Sequence, residues 1–367
     1  MRASHQFAVA AAWAAAMVAF VPSIAAQDAE HRAIVERSKA MVPSPPWPAN
    51  DQVGMANTLG AGTWMRCAYH LSRPNAKAYE LSHLLTNTMP SSAFAQKLVH
   101  EFPASIVLPH TMHAFNVDRI TSGEPGQQGT QFDALGHFGV IDKVWTGQGQ
   151  PPSDAIKYYS GFTQKDVKPT PTSPLLKLGV ENVPPIITEA VLLDAKAHIG
   201  KGQTLKAGQL VTAKDIEDMI AAQGLAWRGV LPGDVLYIYT GWSEHWQDPD
   251  VKKLYYTMGP GLSYDASKYL EQKRVVLVAL DNPFTDPVSE GQLQGKAGPP
   301  TGTPPGLPFV IHHHNLVVAG IHNIQNASLA QMAADKVWTS CTIILPLRTQ
   351  GSAGSPVRPV AIGAPQR

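Results

Sequence analysis

Three apolar runs constrain what this chain can fold into more than any other feature. Ala190-Val191-Leu192-Leu193-Asp194 and Arg274-Val275-Val276-Leu277-Val278-Ala279-Leu280-Asp281 each close on a carboxylate, and Val235-Leu236-Tyr237-Ile238-Tyr239 ends at Thr240-Gly241-Trp242. Runs of this length, rich in β-branched residues and bounded by turn formers, are buried strands. Between them lie segments with helical periodicity. Thr212 to Gln223 sets Ile216, Met219 and Ile220 on one side, with Thr212 as N-cap and Gly224 as stop. Tyr264 to Gln272 forms a second helix, and Pro232-Gly233-Asp234 turns the chain into the middle strand. Strands alternating with helices, with neither an internal repeat nor a linker, predict a single mixed α/β domain.

The flanks read differently. Arg2 precedes an apolar, Ala-rich stretch from Phe7 to Ala26, and Ser23, Ala25 and Ala26 offer a cleavage site. This is the pattern of an export signal, residues 1–26, which implies a periplasmic or secreted protein. An uncleaved anchor is the alternative, because the stretch approaches the roughly 20 residues a membrane span needs. Pro22 and the small residues after it favour removal. Gln27 to Met41 reads as a short helix, and the Pro-rich segment 43–48 forces an extended path. Strand-like pieces follow at Ala78–Leu81 and Ser105–Leu108. The Gly/Pro-rich stretch 290–308 is expected to wall a site, and the Gly/Pro/Ala-rich tail 351–367 is expected to fray, leaving 27–350 as the domain.

The formal charge is +1 with no cluster of Lys or Arg, which argues against nucleic acid as a partner. After the leader no stretch is apolar and long enough to span a bilayer. Cys67 and Cys341 have neither zinc nor redox spacing; a disulfide and two buried thiols both remain open.

Chemistry concentrates in Gln127-Gln128-Gly129-Thr130-Gln131-Phe132-Asp133-Ala134-Leu135-Gly136-His137. Residues of equal parity share a face of an extended segment, so Gln131 and Asp133 point together. A bend at Gly129-Thr130 would bring Gln127 alongside. Two amide oxygens, a carboxylate and the imidazole of His137 could then converge on a divalent metal with a base beside it. A polar loop capping its own backbone is the plain alternative. Further on, His312, His313 and His314 are adjacent and cannot all face one way, so at most two serve one site. Asp194 and Asp281 are as readily turn or cap formers as catalytic groups.

Together these residues resemble the cyclase family of metal-dependent hydrolases, which includes bacterial kynurenine formamidase and isatin hydrolase. The family signature is H-x-G-T-H-x-D-x-P-x-H, with a later His and, twelve residues on, Glu or Gln. Gln127, Gly129, Thr130, Gln131, Asp133 and His137 occupy the signature positions, and His313 and Gln325 have the twelve-residue separation. Further matches include Trp47, Asp51-Gln52-Val53-Gly54, Asn57, Pro232-Gly233-Asp234, Thr240-Gly241-Trp242 and Pro260-Gly261-Leu262-Ser263. The chain departs where two signature histidines are glutamines. Through Ala134 that departure resembles the Q-x-x-x-Q-x-D-[SA]-x-x-x-H pattern of the trans-dienelactone hydrolase type, which the segment is expected to fit throughout.

The resemblance implies a swivelling β/β/α fold and a homo-oligomer, dimer or tetramer. It implies a metal, zinc ahead of manganese, on Gln127, Gln131 and Asp133, with His313 and Gln325 completing the set or holding a second ion. His137 would be the general base. Trp47 and Trp242 would wall the substrate, or simply pack in the core. The activity implied is hydrolysis of a small lactone, cyclic amide or simple amide. A non-catalytic binder of small carbonyl compounds, and a lyase or isomerase, are the alternatives.

Overall fold

The structure is a computed structural model describing residues 24–366, so residues 1–23 of the expected leader lie outside the described residues. Residues 24–26 already belong to the first helix, α1 (Ile24–Lys39). None of the described helices is long and apolar enough to cross a membrane.

One nine-stranded sheet organises the chain. Its strands are β1 (Lys77–Glu80), β2 (Gln131–Asp133), β3 (Ile186–Asp194), β4 (Val235–Tyr239), β5 (Leu277–Leu280), β6 (His322–Gln325), β7 (Thr339–Ile344), β8 (Gly354–Pro356) and β9 (Val360–Gly363). They lie in the order β1-β9-β7-β3-β4-β5-β6-β2-β8. The four central strands, β3 to β6, run parallel, and the strands outside them pair antiparallel. The three apolar runs are β3, β4 and β5, side by side at the centre. Strands buried on both faces need no polar alternation, which is why these runs are continuously apolar.

The expected helices form as α3 (Ala213–Ala222) and α4 (Tyr264–Lys273), with α2 (Ala61–Leu71) before them. Thr212 caps α3, its Oγ1 accepting from Asp215 N at 3.1 Å. Ile216, Met219 and Ile220 enter one apolar cluster with Val191, Leu236 and Val278. Asp194 caps a turn, accepting from Ala197 N at 2.8 Å, and Asp281 binds the backbone and hydroxyl of Thr240 at 2.7 and 2.6 Å. Both carboxylates are therefore structural.

The tail requires a correction. It was expected to fray from Gly351, yet residues 354–356 and 360–363 are β8 and β9, bonded to β2 and to β7 and β1. Gly and Ala weaken a strand only where neighbours do not fix it. Here Ala134 N donates to Ala353 O and Val357 N to Thr130 O, both at 3.0 Å.

Cys67 on α2 and Cys341 on β7 are joined in a disulfide. Beside it, in sheet register with Cys341, Glu189 anchors a buried ionic network. His31 Nε2 and His70 Nε2 meet its Oε1 at 2.6 and 2.8 Å, and Arg228 Nη2 donates to Oε2 at 2.7 Å. Arg228 also binds Asp234 at 2.8 Å, which is the role of the Pro-Gly-Asp turn. Burial alone would raise the Glu189 carboxyl, but Arg228 and the bonds from His31 and His70 hold it well below the usual value. Removing one partner of a buried ionic group costs about 3–5 kcal/mol. Glu189→Gln should therefore lower the unfolding free energy by about that amount in urea titrations at neutral pH. Because folding depresses this carboxyl, the gap to wild type should be full above the ordinary Glu value and close as pH falls through the depressed one.

Candidate metal and catalytic site

The pairing of β2 with β6 builds the site. Gln131 lies directly opposite Gln325, and Asp133 opposite Asn323. Gln131 and Asp133, two residues apart, share a face, so their side chains gather beside Gln325. Gln325 Nε2 donates to Asp133 Oδ2 at 2.7 Å. The expected bend is present: Gly129 sits at φ +66°, a left-handed conformation that favours glycine. Thr130 locks it by donating to Asn326 O at 2.7 Å. Beyond the bend, Gln127 Nε2 lies 3.4 Å from His137 Nδ1.

Two imidazoles complete the group. Ligand atoms of Asp133, His137 and His312 all lie within 4.8 Å of one another. His137 Nε2 is 4.0 Å from Asp133 Oδ1, and His312 Nε2 is 3.6 Å from Asp133 Oδ2 and 3.1 Å from Gln325 Nε2. His137 keeps 22% of its side-chain surface, enough to meet a ligand.

The histidine expected from the spacing is displaced by one. His312, not His313, faces Asp133 and Gln325. The three histidines run through a helical turn, Val310–His312 continuing into His313–Ala319, where successive residues rotate by about 100°. His313 is turned elsewhere and only half buried, and His314 bonds Glu271 at 2.8 Å.

The electrostatics separate the two imidazoles. Burial lowers His137, outweighing the pull of Asp133, and His312 pushes it down further. Burial would lower His312 too, but its bonds to Asp133 and Asp286 raise it to about 10. Asp133 is lowered: burial opposes its charge, and His137 and His312 overcome it.

Above these groups opens a cavity of about 440 Å³, lined by Gln127, Gln131, His137, His312 and Gln325 at its polar end. Its walls are Phe94, Phe138, Tyr256, Phe284 and Phe309. Phe94 meets Phe284 and Phe309 edge to face at 6.2 and 6.1 Å between centroids. Neither Lys nor Arg is among the described residues lining it.

Both expected tryptophans are absent from this wall. Trp47 packs against the apolar cluster of α3 and α4, and Trp242 is buried behind Tyr256 and Phe284, donating to Tyr255 O at 3.2 Å. The loop 290–308 does not line the cavity either; Phe309, just after it, does. Aromatics scattered over five segments leave no periodic signal, so sequence reasoning had nothing to find them by.

The donor set fits a divalent cation. Gln131 Oε1, Asp133 Oδ1 and Gln325 Oε1 are buried acceptors with no hydrogen-bond donor, which is costly unless a cation or water satisfies them. With one carboxylate, amide oxygens and imidazole, the set suits zinc or a harder ion such as manganese.

Comparisons with known proteins give the family and the fold. The Cyclase family model matches residues 79–287, more than half of the chain, and the protein belongs to that family. A crystal structure of a novel cyclase superposes with a TM-score of 0.67 at 23% identity, covering 86% of this chain and 95% of that one. An isatin hydrolase bound to the product analogue thioisatinate gives 0.50 at 18% identity, covering 82% and 96%. Isatin hydrolase A from Labrenzia aggregata, bound to benzyl benzoate, gives 0.51 at 16%, covering 79% and 94%. These likenesses establish the α/β cyclase fold. No curated protein sequence matches the chain.

The one-residue displacement has a direct check. His312→Ala should abolish stoichiometric zinc or manganese uptake in a calorimetric titration, whereas His313→Ala should leave it unchanged. The reverse order would restore the twelve-residue spacing.

Proposed function

We propose that this protein is an exported, metal-dependent hydrolase that opens a small lactone or cyclic amide. The observation that carries the reading is the set of three donorless buried oxygens beside two imidazoles, at the floor of an aromatic cavity. Gln131, Asp133, His312 and Gln325 would hold the ion, with Gln127 close by. A divalent cation held there polarises a carbonyl and makes nearby water more acidic.

His137 supplies the base. Its lowered pKa keeps the ring neutral at physiological pH, as proton abstraction requires. The structure sets Gln127 Nε2 against His137 Nδ1 at 3.4 Å; a flip of this amide would let its oxygen accept from Nδ1–H and leave the Nε2 lone pair free on the Asp133 side. Nε2 takes a proton from the attacking water and returns it to the leaving oxygen or nitrogen.

The walls select the substrate. Five aromatic rings suit a flat, apolar body, and a cavity of this volume takes a small molecule. With neither Lys nor Arg in the lining, the positive charge at this cavity is confined to the bound cation and the His312 side, so the aromatic walls themselves select for shape and apolarity. The expected fit to the dienelactone pattern fails at its last position: that pattern sets its histidine five residues after the aspartate, and His137 stands four after Asp133. Export is supported by the leader-like start and by the Cys67–Cys341 disulfide, a bond typical of oxidising compartments.

Three experiments test the reading. A panel of lactones and cyclic amides, assayed for water addition, should give turnover with flat, aromatic members; binding without turnover would favour a capture protein. His137→Ala should lower kcat by about 10²–10⁴-fold while ligand affinity is kept. In the wild type, kcat/KM should rise with pH along an acid limb whose midpoint lies below the ordinary His value, because only neutral His137 accepts a proton. A midpoint above that value would remove His137 from the base role.

A further inference from the structure

The loop after β5 presents a buried carboxylate to which neither the family signature nor the base assignment gives a role. Asp286 is fully buried, and its two oxygens take three donors. Ile311 N reaches Oδ1 at 2.6 Å, and His312 N reaches Oδ2 at 3.1 Å. His312 Nδ1 meets the same Oδ2 at 2.5 Å. With Nδ1 engaged, only Nε2 remains to face Asp133 and Gln325.

The neighbouring residue serves the same end. Thr285 Oγ1 accepts from Gln325 Nε2 at 3.2 Å, so adjacent residues orient two site side chains. The loop is held close to the strand at 261–262. A Cβ on Gly261 would lie 2.3 Å from the Asp286 carbonyl carbon and 2.2 Å from Pro287 N, so only glycine fits. Leu262 N donates to Thr285 O at 3.0 Å on the same approach.

We infer that Asp286 is the positioning residue of the site: it holds the His312 ring with Nδ1 as donor, presenting Nε2 as the metal ligand. Asn at this position cannot replace it. Its single acceptor oxygen can serve Ile311 N or the two His312 donors, but its NH2 group must then face the other side. A carboxylate behind a ligating imidazole sets the ring's orientation and strengthens its donor character. The inference rests on the metal site proposed above.

The test uses the full chain and Co²⁺ alone as probe, because its visible absorption reports ligand number and geometry. Wild type should bind one Co²⁺, and Asp286→Asn should weaken binding by about 10–100-fold and alter the visible bands. Should the variant bind as tightly as wild type with an unchanged spectrum, the inference fails while the metal site stands. Should wild type itself bind no Co²⁺ or Zn²⁺, the metal reading fails and takes the inference with it. A second measurement avoids any loss of folding. Long-range ¹H–¹⁵N NMR of ¹⁵N-histidine-labelled wild type with added Zn²⁺, assigned with His312→Gln, should show Nε2 metal-bound and Nδ1 protonated. Metal on Nδ1 overturns the proposal.

Discussion

The antiparallel pairing of β2 with β6 is the contact on which the site depends. β6 closes the parallel centre of the sheet, and β2 adds to its free edge in the opposite direction. That reversal sets Gln131 across from Gln325 and brings Asp133 within hydrogen-bonding reach of Gln325. Because strand side chains alternate, a slip of one residue would turn both Gln131 and Asp133 to the other face. The register is defended locally by the Gly129 bend, by Thr130 on Asn326 O, and by β8 pairing with the far edge of β2. The tail that seemed dispensable is thus part of the site's foundation, and its Ala353 lines the cavity.

Two buried carboxylates divide the work in a way local sequence does not announce. Asp133 lies among imidazoles and unsatisfied oxygens, where a cation is the natural complement. Asp286 is saturated by two backbone donors and a ring nitrogen. Away from the site Glu189 joins α1, α2 and the sheet through His31, His70 and Arg228. Its cluster also gathers two histidines and a carboxylate, but each of their facing atoms is already hydrogen-bonded. Three donorless oxygens converging beside two imidazoles, rather than residue types alone, set the site apart from this network.

Much of this was legible in the chain. The apolar runs at 190–194, 235–239 and 275–281 became central strands because burial on both faces leaves no polar alternation to write. The Gln-Gly-Thr-Gln-Phe-Asp stretch announced its shared face through parity and its bend through glycine. Both signals are local, encoded within a few residues by backbone geometry. His312 could not be told from His313, since one helical step decides which ring faces the site, and that step is set by Asp286, 26 residues earlier. The cavity walls were equally hidden: Phe94, Phe138, Tyr256, Phe284 and Phe309 meet only after the loops converge. Trp47 and Trp242, conspicuous in the sequence, were spent on core packing instead.

Local order therefore determined the strands, the helices, the bend and the facing of Gln131 with Asp133. Tertiary packing decided the rest: which histidine joins them, whether Cys67 and Cys341 bond, and whether the Gly- and Pro-rich tail becomes sheet. The physical reason is range. Alternation and capping act over a few residues, whereas ring orientation, pocket walls and strand edges depend on partners brought together by the fold.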